Sequence, residues 1–284
     1  MPSTARSLDA LIELIQPNEH VLADGARRME DIWHGRSTDS LPLLFSAPVR
    51  EDVSSEGLNP NEQMLYEWTI SLVGAARSGS DIQLTIRANT GTGTLATIAG
   101  CQLTPCENNL PWTEHITRET IEAFDADADY AHAGIMPQVH DLYAYFKTKL
   151  PSCVHFFCAD TQGPFDLAHL FYGEEIFYAL YDEPEFVHQV LEKATKLYIR
   201  GTKLLKTWID EPLDGGYHWG YRLANGGVRA CEDTSTLLSP DSIAEFVLPY
   251  QERALAAFGG GFIHYCGDNA ALYDGELRSP MVRG

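Results

Sequence analysis

Residues 259–267 read GGGFIHYCG, and this is the most informative stretch of the chain. Its glycines and the apolar pair Phe262-Ile263 predict a buried strand that ends in a loop. Residues i and i+2 of a strand point to the same side, so we expect His264 and Cys266 to direct a nitrogen and a sulfur at one point. Zinc prefers ligands of these types, but a zinc site needs a third protein ligand.

The composition is that of an ordinary globular protein with a strongly acidic surface. Of the 284 residues, 44% are hydrophobic and 21% are charged, and 40 acidic against 20 basic residues give a formal net charge of −20. A field of that sign repels phosphate backbones, so nucleic acid is not an expected partner. No apolar run reaches the ~18 residues of a membrane span, and the N-terminus lacks a secretory pattern. We therefore expect a cytoplasmic protein whose scattered cysteines are free thiols.

Helix and strand signals alternate along the chain, with polar and glycine-rich joints after the strands. This alternation predicts an α/β fold with a parallel sheet. We expect a single domain over residues 1–284, with residues 1–40 as an N-terminal helical extension. A (β/α)8 barrel needs eight strands, and the chain offers roughly five or six candidates. Residues 278–284 read as the approach to another strand.

Local signals place the individual elements. Strands are predicted at residues 41–45, 81–88, 153–160, 216–220 and 227–232. Asn59-Pro60 and Ser239-Pro240 each combine a capping side chain with a proline suited to the first helical position, so both predict helix starts. Other helices are predicted over residues 7–15, 19–33, 135–150 and 184–208. Residues 89–115 predict a long irregular segment, which is typical of functional or mobile loops.

Three stretches of the chain carry a further signal: Asp160-Thr161-Gln162-Gly163-Pro164-Phe165-Asp166 with the later Asp182-Glu183-Pro184, EDTSTLLSP at 232–240 running into EFVLPY at 245–250, and HYCG at 264–267. In order and spacing they resemble the uroporphyrinogen decarboxylase family. Together they cover residues 135–284. The region of Arg87, Asn89, Gly91 and Gly93 also looks like a divergent branch of the family.

The resemblance implies a (β/α)8 TIM barrel with its site at the carboxyl ends of the strands. It also implies an incomplete barrel, because the chain ends before about two C-terminal β/α units and so looks truncated. The superfamily includes corrinoid-linked methyltransferases, in which the H-x-C pair, here His264 and Cys266, matches two zinc ligands and a cysteine further downstream is the third. Zinc there lowers the pKa of an acceptor thiol, which then attacks a methyl group on cobalt. The arginine-rich signature and catalytic aspartate of the decarboxylases are not identifiable here.

Carboxylates at strand ends are the candidate catalytic residues. Asp160 and Asp233 end strand candidates, where barrel enzymes place site residues, and together with Arg87 they are predicted to orient the substrate. Two alternatives stay open. Arg87 could form a salt bridge at the barrel mouth, and Asp233 could bond loop amides or support His264.

Further residues are predicted to bind substrate or metal. Asn89 follows Arg87 at a strand end, and His218 lies in an aromatic run that packing explains equally well. The predicted substrate-binding residues are Asn89, Gln162, Glu232 and His218. Additional metal ligands could come from strand ends at Cys158, Asp160, Cys231 and Glu232.

Three functions are compatible with the sequence. The first is zinc-dependent methyl transfer between a corrinoid and a small thiol or alkoxide. The second is decarboxylation of a tetrapyrrole, as in porphyrin biosynthesis, with carboxylates and arginine stabilising a protonated pyrrole intermediate. The third is a non-catalytic fragment that self-associates through an open strand edge. The expected partners are a small-molecule substrate, a corrinoid protein and a second copy of the chain.

Overall fold

The computed structural model describes residues 7–51, 54–107 and 109–284, which form a mixed α/β structure. Residues 1–6 of the predicted extension and residue 108 of the predicted irregular segment lie outside the described residues. The α-helices are α1 (Leu8–Ile12), α2 (Glu19–Trp33), α3 (Pro60–Ser78), α4 (Arg118–Ala123), α5 (Met136–Lys149), α6 (Pro164–Tyr172), α7 (Glu175–Asp182), α8 (Pro184–Trp208), α9 (Pro240–Ser242), α10 (Leu248–Ala256) and α11 (Ala270–Glu276). The strands are β1 (Thr85–Ile86), β2 (Leu103–Thr104), β3 (Trp112–Thr113), β4 (His155–Phe156), β5 (Gly216–His218), β6 (Tyr221–Leu223), β7 (Val228–Cys231) and β8 (Gly261–His264). None of the described helices is both long and apolar enough to cross a membrane.

The chain divides into two compact units. The first consists of Met1–Ala88, Asp141–Phe157 and Gly216–Ala224. The second consists of Asn89–His140, Cys158–Gly215 and Asn225–Gly284. The description of residues 1–284 as one domain stays a prediction.

In the first unit, the helix start predicted at Asn59-Pro60 is confirmed. The Asn59 side chain accepts the backbone N–H of Glu62, and the Glu62 carboxylate accepts the N–H of Asn59 at 2.9 Å. This reciprocal pair satisfies N–H groups that have no partner inside the helix. The helix ends at Gly79, whose φ of 67° suits a residue without a Cβ. Strand β1 pairs in parallel with β4, and β5 pairs antiparallel with β6.

The strand predicted at residues 41–45 is wrong. The segment is extended, but the N–H of Leu43 donates to Asp81 Oδ2 at 2.8 Å and the N–H of Phe45 to Ser80 Oγ at 3.4 Å. Side-chain oxygens thus occupy the positions that a neighbouring strand would fill. The strands predicted at 81–88 and 153–160 exist, but only as the two-residue strands β1 and β4.

In the second unit, parallel segments lie side by side around β7 and β8. These strands pair in parallel, and isolated parallel bridges join Gln162 to Cys231 and Gly261 to Val282. The predicted approach to another strand near the end of the chain is therefore confirmed. Strands β2 and β3 form an antiparallel pair within the segment predicted to be irregular. The described strands are joined as two-stranded pairs, and the eight-stranded barrel stays a prediction.

The long helix predicted to start at Asp182-Glu183-Pro184 is confirmed as α8. Its buried residues recur every three or four positions, as the inward face of an amphipathic helix requires; they include Val187, Val190, Leu191, Ala194, Leu197, Tyr198 and Leu205. This face packs against α6, α7 and α10. A fully buried leucine of this kind contributes about 1.5–3 kcal/mol. The packing fixes α6, whose first turn carries a carboxylate to the candidate site.

Candidate metal centre

The candidate site lies at the carboxyl ends of β7 and β8. The register of this parallel pair places Cys231 opposite His264. The N–H of Glu232 donates to the carbonyl of His264 at 2.9 Å, which extends the ladder past the strand end. Residues that follow the two strands therefore meet at one edge, as in α/β enzymes whose sites use the carboxyl ends of strands.

The side chains of His264 and Cys266 approach each other as the sequence predicts, but the backbone reason differs. Cys266 Sγ lies 3.5 Å from His264 Nε2, and both residues are exposed. Strand β8 ends at His264, so Cys266 lies in the following turn and not on the same strand face. Asp233 Oδ1 accepts the N–H of Cys266 at 2.6 Å and fixes that turn.

A second set of metal-type side chains includes the same histidine. Donor atoms of Cys231, Asp233 and His264 all lie within 4.8 Å of one another. Cys231 is buried, Asp233 is half-buried and His264 is exposed, so the set extends from the interior to the surface. In the described part of the chain, these three side chains form the one group of three or more His, Cys, Asp or Glu residues that is close enough to hold a metal ion. The sequence candidates Cys158, Asp160, Glu232 and Cys266 fall outside it, although Cys266 Sγ lies 3.5 Å from His264 Nε2.

The loop that carries Asp233 is held by Asp166, which sequence reasoning did not assign a role. Asp166 lies in the first turn of α6, and its carboxylate accepts the N–H of Asp233 at 3.0 Å and of Thr234 at 2.8 Å. Burial raises the pKa of Asp166 to about 6, although these N–H bonds favour the charged form. The sequence signal was an acidic residue just after Gly163-Pro164, a common arrangement at a helix start.

Glu232 lies in the interior beside Asp166 and is not one of the metal-type donors. It is fully buried, and its Oε2 accepts bonds from Ser235 Oγ at 3.1 Å and from the N–H of Asp166 at 3.4 Å. Its Oε1 has no hydrogen-bond partner among the described residues, and a Cβ at Gly163 would lie 2.1 Å from it. Burial and then the charge of Asp166 raise the pKa of Glu232 well above its usual value. Its predicted contact with substrate stays a prediction.

Asp160 and Gln162 lie together in a buried polar group. Asp160 Oδ1 pairs with Arg229 Nη1 at 2.7 Å and accepts a bond from Gln162 Nε2 at 3.2 Å. Arg229 was not identified from the sequence, since its partner lies 69 residues away. This ion pair keeps the Asp160 carboxylate in one orientation, and its predicted catalytic role stays a prediction.

Arg87 and His218 belong to the first unit, whereas Asn89 belongs to the second. The guanidinium of Arg87 lies 5.1 Å from the ring of Trp219 and 5.7 Å from that of Phe157, which are cation–π distances. The His218 ring lies 5.2 Å from that of Phe157. Asn89 is half-buried in the segment after β1. The predicted roles of these three residues in catalysis and substrate binding stay predictions.

All six cysteines are free, as predicted. Burial raises the pKa of Cys158 to about 12 and raises that of Cys231 as well. Burial outweighs the opposing charges of Lys206 near Cys158 and Arg229 near Cys231, so neither thiol is a good nucleophile. Cys266, in contrast, is exposed at the edge of the site beside an imidazole.

Comparisons with known proteins give a structural likeness without a sequence match. No family model matches the chain, and no curated protein matches it. A solved structure, a methyltransferase from Methanosarcina mazei, superimposes with a TM-score of 0.65 at 15% identity, covering 92% of this chain and 74% of that one. At this identity the likeness shows a shared fold.

Proposed function

We propose that this chain is a zinc-dependent methyltransferase that exchanges a methyl group between a corrinoid and a small thiol or alkoxide. The observation that carries the proposal is the 3.5 Å approach of Cys266 Sγ to His264 Nε2 at a strand end. The fold shared with a methyltransferase and the resemblance of three stretches to the uroporphyrinogen decarboxylase superfamily support it. We propose a barrel of that superfamily as the complete architecture.

The two side chains fit a zinc ion in both chemistry and spacing. A nitrogen at about 2.0 Å and a sulfur at about 2.3 Å from one tetrahedral zinc lie about 3.5 Å apart. The observed separation therefore needs little rearrangement. Both residues are exposed, so a small substrate can reach the centre from solvent.

Bound zinc would hold a thiol or alcohol substrate and lower its pKa, which makes it a nucleophile at neutral pH. In the proposed reaction a lone pair on the substrate sulfur or oxygen forms the new bond to the methyl carbon. The electron pair of the cobalt–carbon bond stays on the corrinoid, and the substrate proton goes to solvent.

The protein's own groups would orient these reactants. Asp233 fixes the backbone of Cys266, so the thiol keeps its position beside His264. Asp160, held by Arg229 and Gln162, presents a carboxylate of fixed orientation one segment away from β7. We propose that this carboxylate orients the substrate.

Metal analysis and a methyl-transfer assay test the proposal. The full chain, stripped with a chelator and reloaded, is expected to retain about one zinc. It should then demethylate methylcobalamin in the presence of 2-mercaptoethanol, which the visible spectrum of the corrinoid reports. Cys266→Ser and His264→Ala should lose both zinc retention and the demethylation of methylcobalamin. Cys106→Ser removes another exposed cysteine and should keep both.

Two results would contradict the proposal. Zinc retention equal in His264→Ala and the unchanged chain would place the metal elsewhere. A fully zinc-loaded chain that leaves methylcobalamin unchanged with thiol and alcohol acceptors would rule out methyl transfer from this donor.

A further inference from the structure

The register of β7 and β8 brings a second sulfur to the proposed zinc site. Cys231 is the last residue of β7 and lies directly opposite His264, the last residue of β8. Neighbouring parallel strands lie about 4.8 Å apart, so paired side chains on one face can share a ligand. A donor atom of Cys231 lies within 4.8 Å of one from His264.

Asp233 adds an oxygen donor to the same place. One of its carboxylate oxygens also lies within 4.8 Å of the donor atoms of Cys231 and His264. Its Oδ1 accepts the N–H of Cys266, while no hydrogen bond to Oδ2 is seen in the described part of the chain. One oxygen thus orders the turn, and the other is available to an ion.

The backbone around these donors is fixed on both sides. The carbonyl of Cys231 accepts the N–H of Gly163 at 2.6 Å, and the N–H of Asp233 donates to Asp166. Cys231 and His264 therefore stand at the ends of two paired strands, and the loop that carries Asp233 is anchored to α6. Preformed ligands of this kind bind a metal more tightly than mobile ones do, because less ordering is required.

We infer that Cys231 and Asp233 complete the metal centre, so that one zinc is bound by one nitrogen, one oxygen and two sulfurs from His264, Asp233, Cys231 and Cys266. The exposed Cys266 Sγ lies beside His264 but outside the group of three, so its side chain would move onto the metal when the ion binds. This assignment rests on the proposed function and specifies its ligands. In place of the downstream cysteine that the family resemblance implies, it assigns Cys231, one of the strand-end candidates from the sequence, together with Asp233. Four protein ligands match the tetrahedral preference of zinc before substrate binds, and a carboxylate is one of the ligand types that it accepts. The thiol or alcohol of the proposed reaction would then displace the Asp233 carboxylate or enter as a fifth ligand.

Cobalt(II) substitution and zinc competition test the assignment. The full chain is titrated with Co²⁺, whose thiolate charge-transfer absorption reports bound sulfurs, and zinc affinity is measured against a chelating dye. Cys231→Ser and Cys231→Ala should each lower the charge-transfer absorption by about half and weaken zinc binding about tenfold or more. Asp233→Asn keeps an amide oxygen that can accept the N–H of Cys266, so it should weaken zinc binding and leave the sulfur absorption unchanged.

Cys101→Ser is the matched control, since Cys101 is buried like Cys231 but lies outside the metal-type group. It should bind both metals as the unchanged chain does. Cys231→Ala is included because the buried hydroxyl of Cys231→Ser could itself disturb folding. Circular dichroism shows whether each of the two variants is folded.

The outcomes separate the ligand assignment from the proposed function. If Cys231 variants keep full absorption and affinity while Cys266→Ser loses them, Cys231 is not a ligand, and zinc-dependent methyl transfer stands. If the unchanged chain binds one metal with two thiolates but transfers no methyl group, the ligand assignment stands and the proposed function fails. If the unchanged chain binds no metal, both fail.

Discussion

Asp233 Oδ1 accepts the backbone N–H of Cys266 at 2.6 Å, so the loop after β7 holds the turn after β8. The contact joins residues 33 positions apart and places a thiol beside an imidazole without requiring both to lie on one strand. Asp166 holds the Asp233 loop in turn. The candidate metal centre therefore depends on a carboxylate that touches none of the proposed ligand atoms.

The first prediction concerns Asp166. Asp166→Ala leaves the N–H groups of Asp233 and Thr234 without their acceptors. Leaving a buried donor unsatisfied costs about 1–3 kcal/mol, so the free energy of unfolding in urea should fall by about that amount. Zinc affinity should fall about tenfold, because supporting residues of metal sites have effects of that size.

Two variants make this prediction specific. Asp166→Asn keeps one acceptor oxygen, so its free energy of unfolding and its zinc affinity should fall less than those of Asp166→Ala. Glu175→Ala, which removes an exposed first-turn acid from α7, should change stability by no more than about 0.5 kcal/mol. If Asp166→Ala binds zinc as tightly as the unchanged chain, the loop that carries Asp233 does not depend on the Asp166 carboxylate.

The second prediction concerns a buried ion pair in the second unit. Lys206 pairs with Glu211 and donates to the carbonyls of Pro212 and Gly215 at 3.0 Å each. Lys206→Met removes the ammonium partner of the buried Glu211 carboxylate and should lower the free energy of unfolding by about 3–5 kcal/mol. The double variant Lys206→Met/Glu211→Leu should recover part of that loss.

An exposed pair provides the control for this measurement. Lys196 pairs with Asp127, and both side chains are exposed, so Lys196→Met should cost less than about 1 kcal/mol in the same chemical unfolding experiment. Equal losses for Lys206→Met and Lys196→Met would mean that burial of the first pair has no energetic consequence.

The third prediction concerns pH. Burial raises the pKa of Glu276 above 4.5, while the bond from Gln251 Nε2 at 2.9 Å acts in the opposite direction. An acid whose pKa is higher in the folded chain stabilises it below the unfolded value and loses that contribution as the pH rises through the folded value. The stability of the unchanged chain relative to Glu276→Gln should therefore increase as the pH is lowered from neutral towards 4.5.

Urea unfolding at several pH values measures this difference. Glutamine can still accept the bond from Gln251 but does not titrate, so its own pH profile serves as the reference. A difference between the two chains that stays constant from neutral pH to 4.5, or grows in the opposite direction, would contradict the buried-carboxyl account.

The fourth prediction concerns the cap of α3. Asn59→Ala removes the side-chain acceptor for the first-turn N–H groups and should lower the free energy of unfolding by about 1 kcal/mol. Asn59→Asp retains an acceptor and should be close to the unchanged chain. Thermal unfolding followed by circular dichroism compares them, and equal losses for alanine and aspartate would exclude the cap as the cause.

Features encoded locally were predictable from the sequence. The starts of α3 and α9 depend on a capping side chain and a proline that stand next to each other, and α8 depends on a repeat of three to four residues. The segment at 41–45 shows where this approach fails. Its apolar alternation resembles a strand, but side-chain oxygens of Asp81 and Ser80 accept the backbone N–H groups that a neighbouring strand would otherwise bond.

Long-range features of the site could not be predicted in the same way. The proximity of His264 and Cys266 was expected from their spacing, although the turn produces it. The position of Cys231 opposite His264 depends on strand register, and that of Asp166 beneath Asp233 depends on how α6 packs. Neither relationship is visible in a single sequence, because the partners stand 33 and 67 residues apart.

X-ray absorption at the zinc K-edge of the zinc-loaded full chain tests the central claim most directly, because it reports the atoms bound to the metal. The four-ligand centre predicts two sulfurs at about 2.3 Å and two lighter atoms at about 2.0–2.1 Å. A shell of nitrogen and oxygen alone would contradict the account, since neither Cys231 nor Cys266 would then bind the zinc.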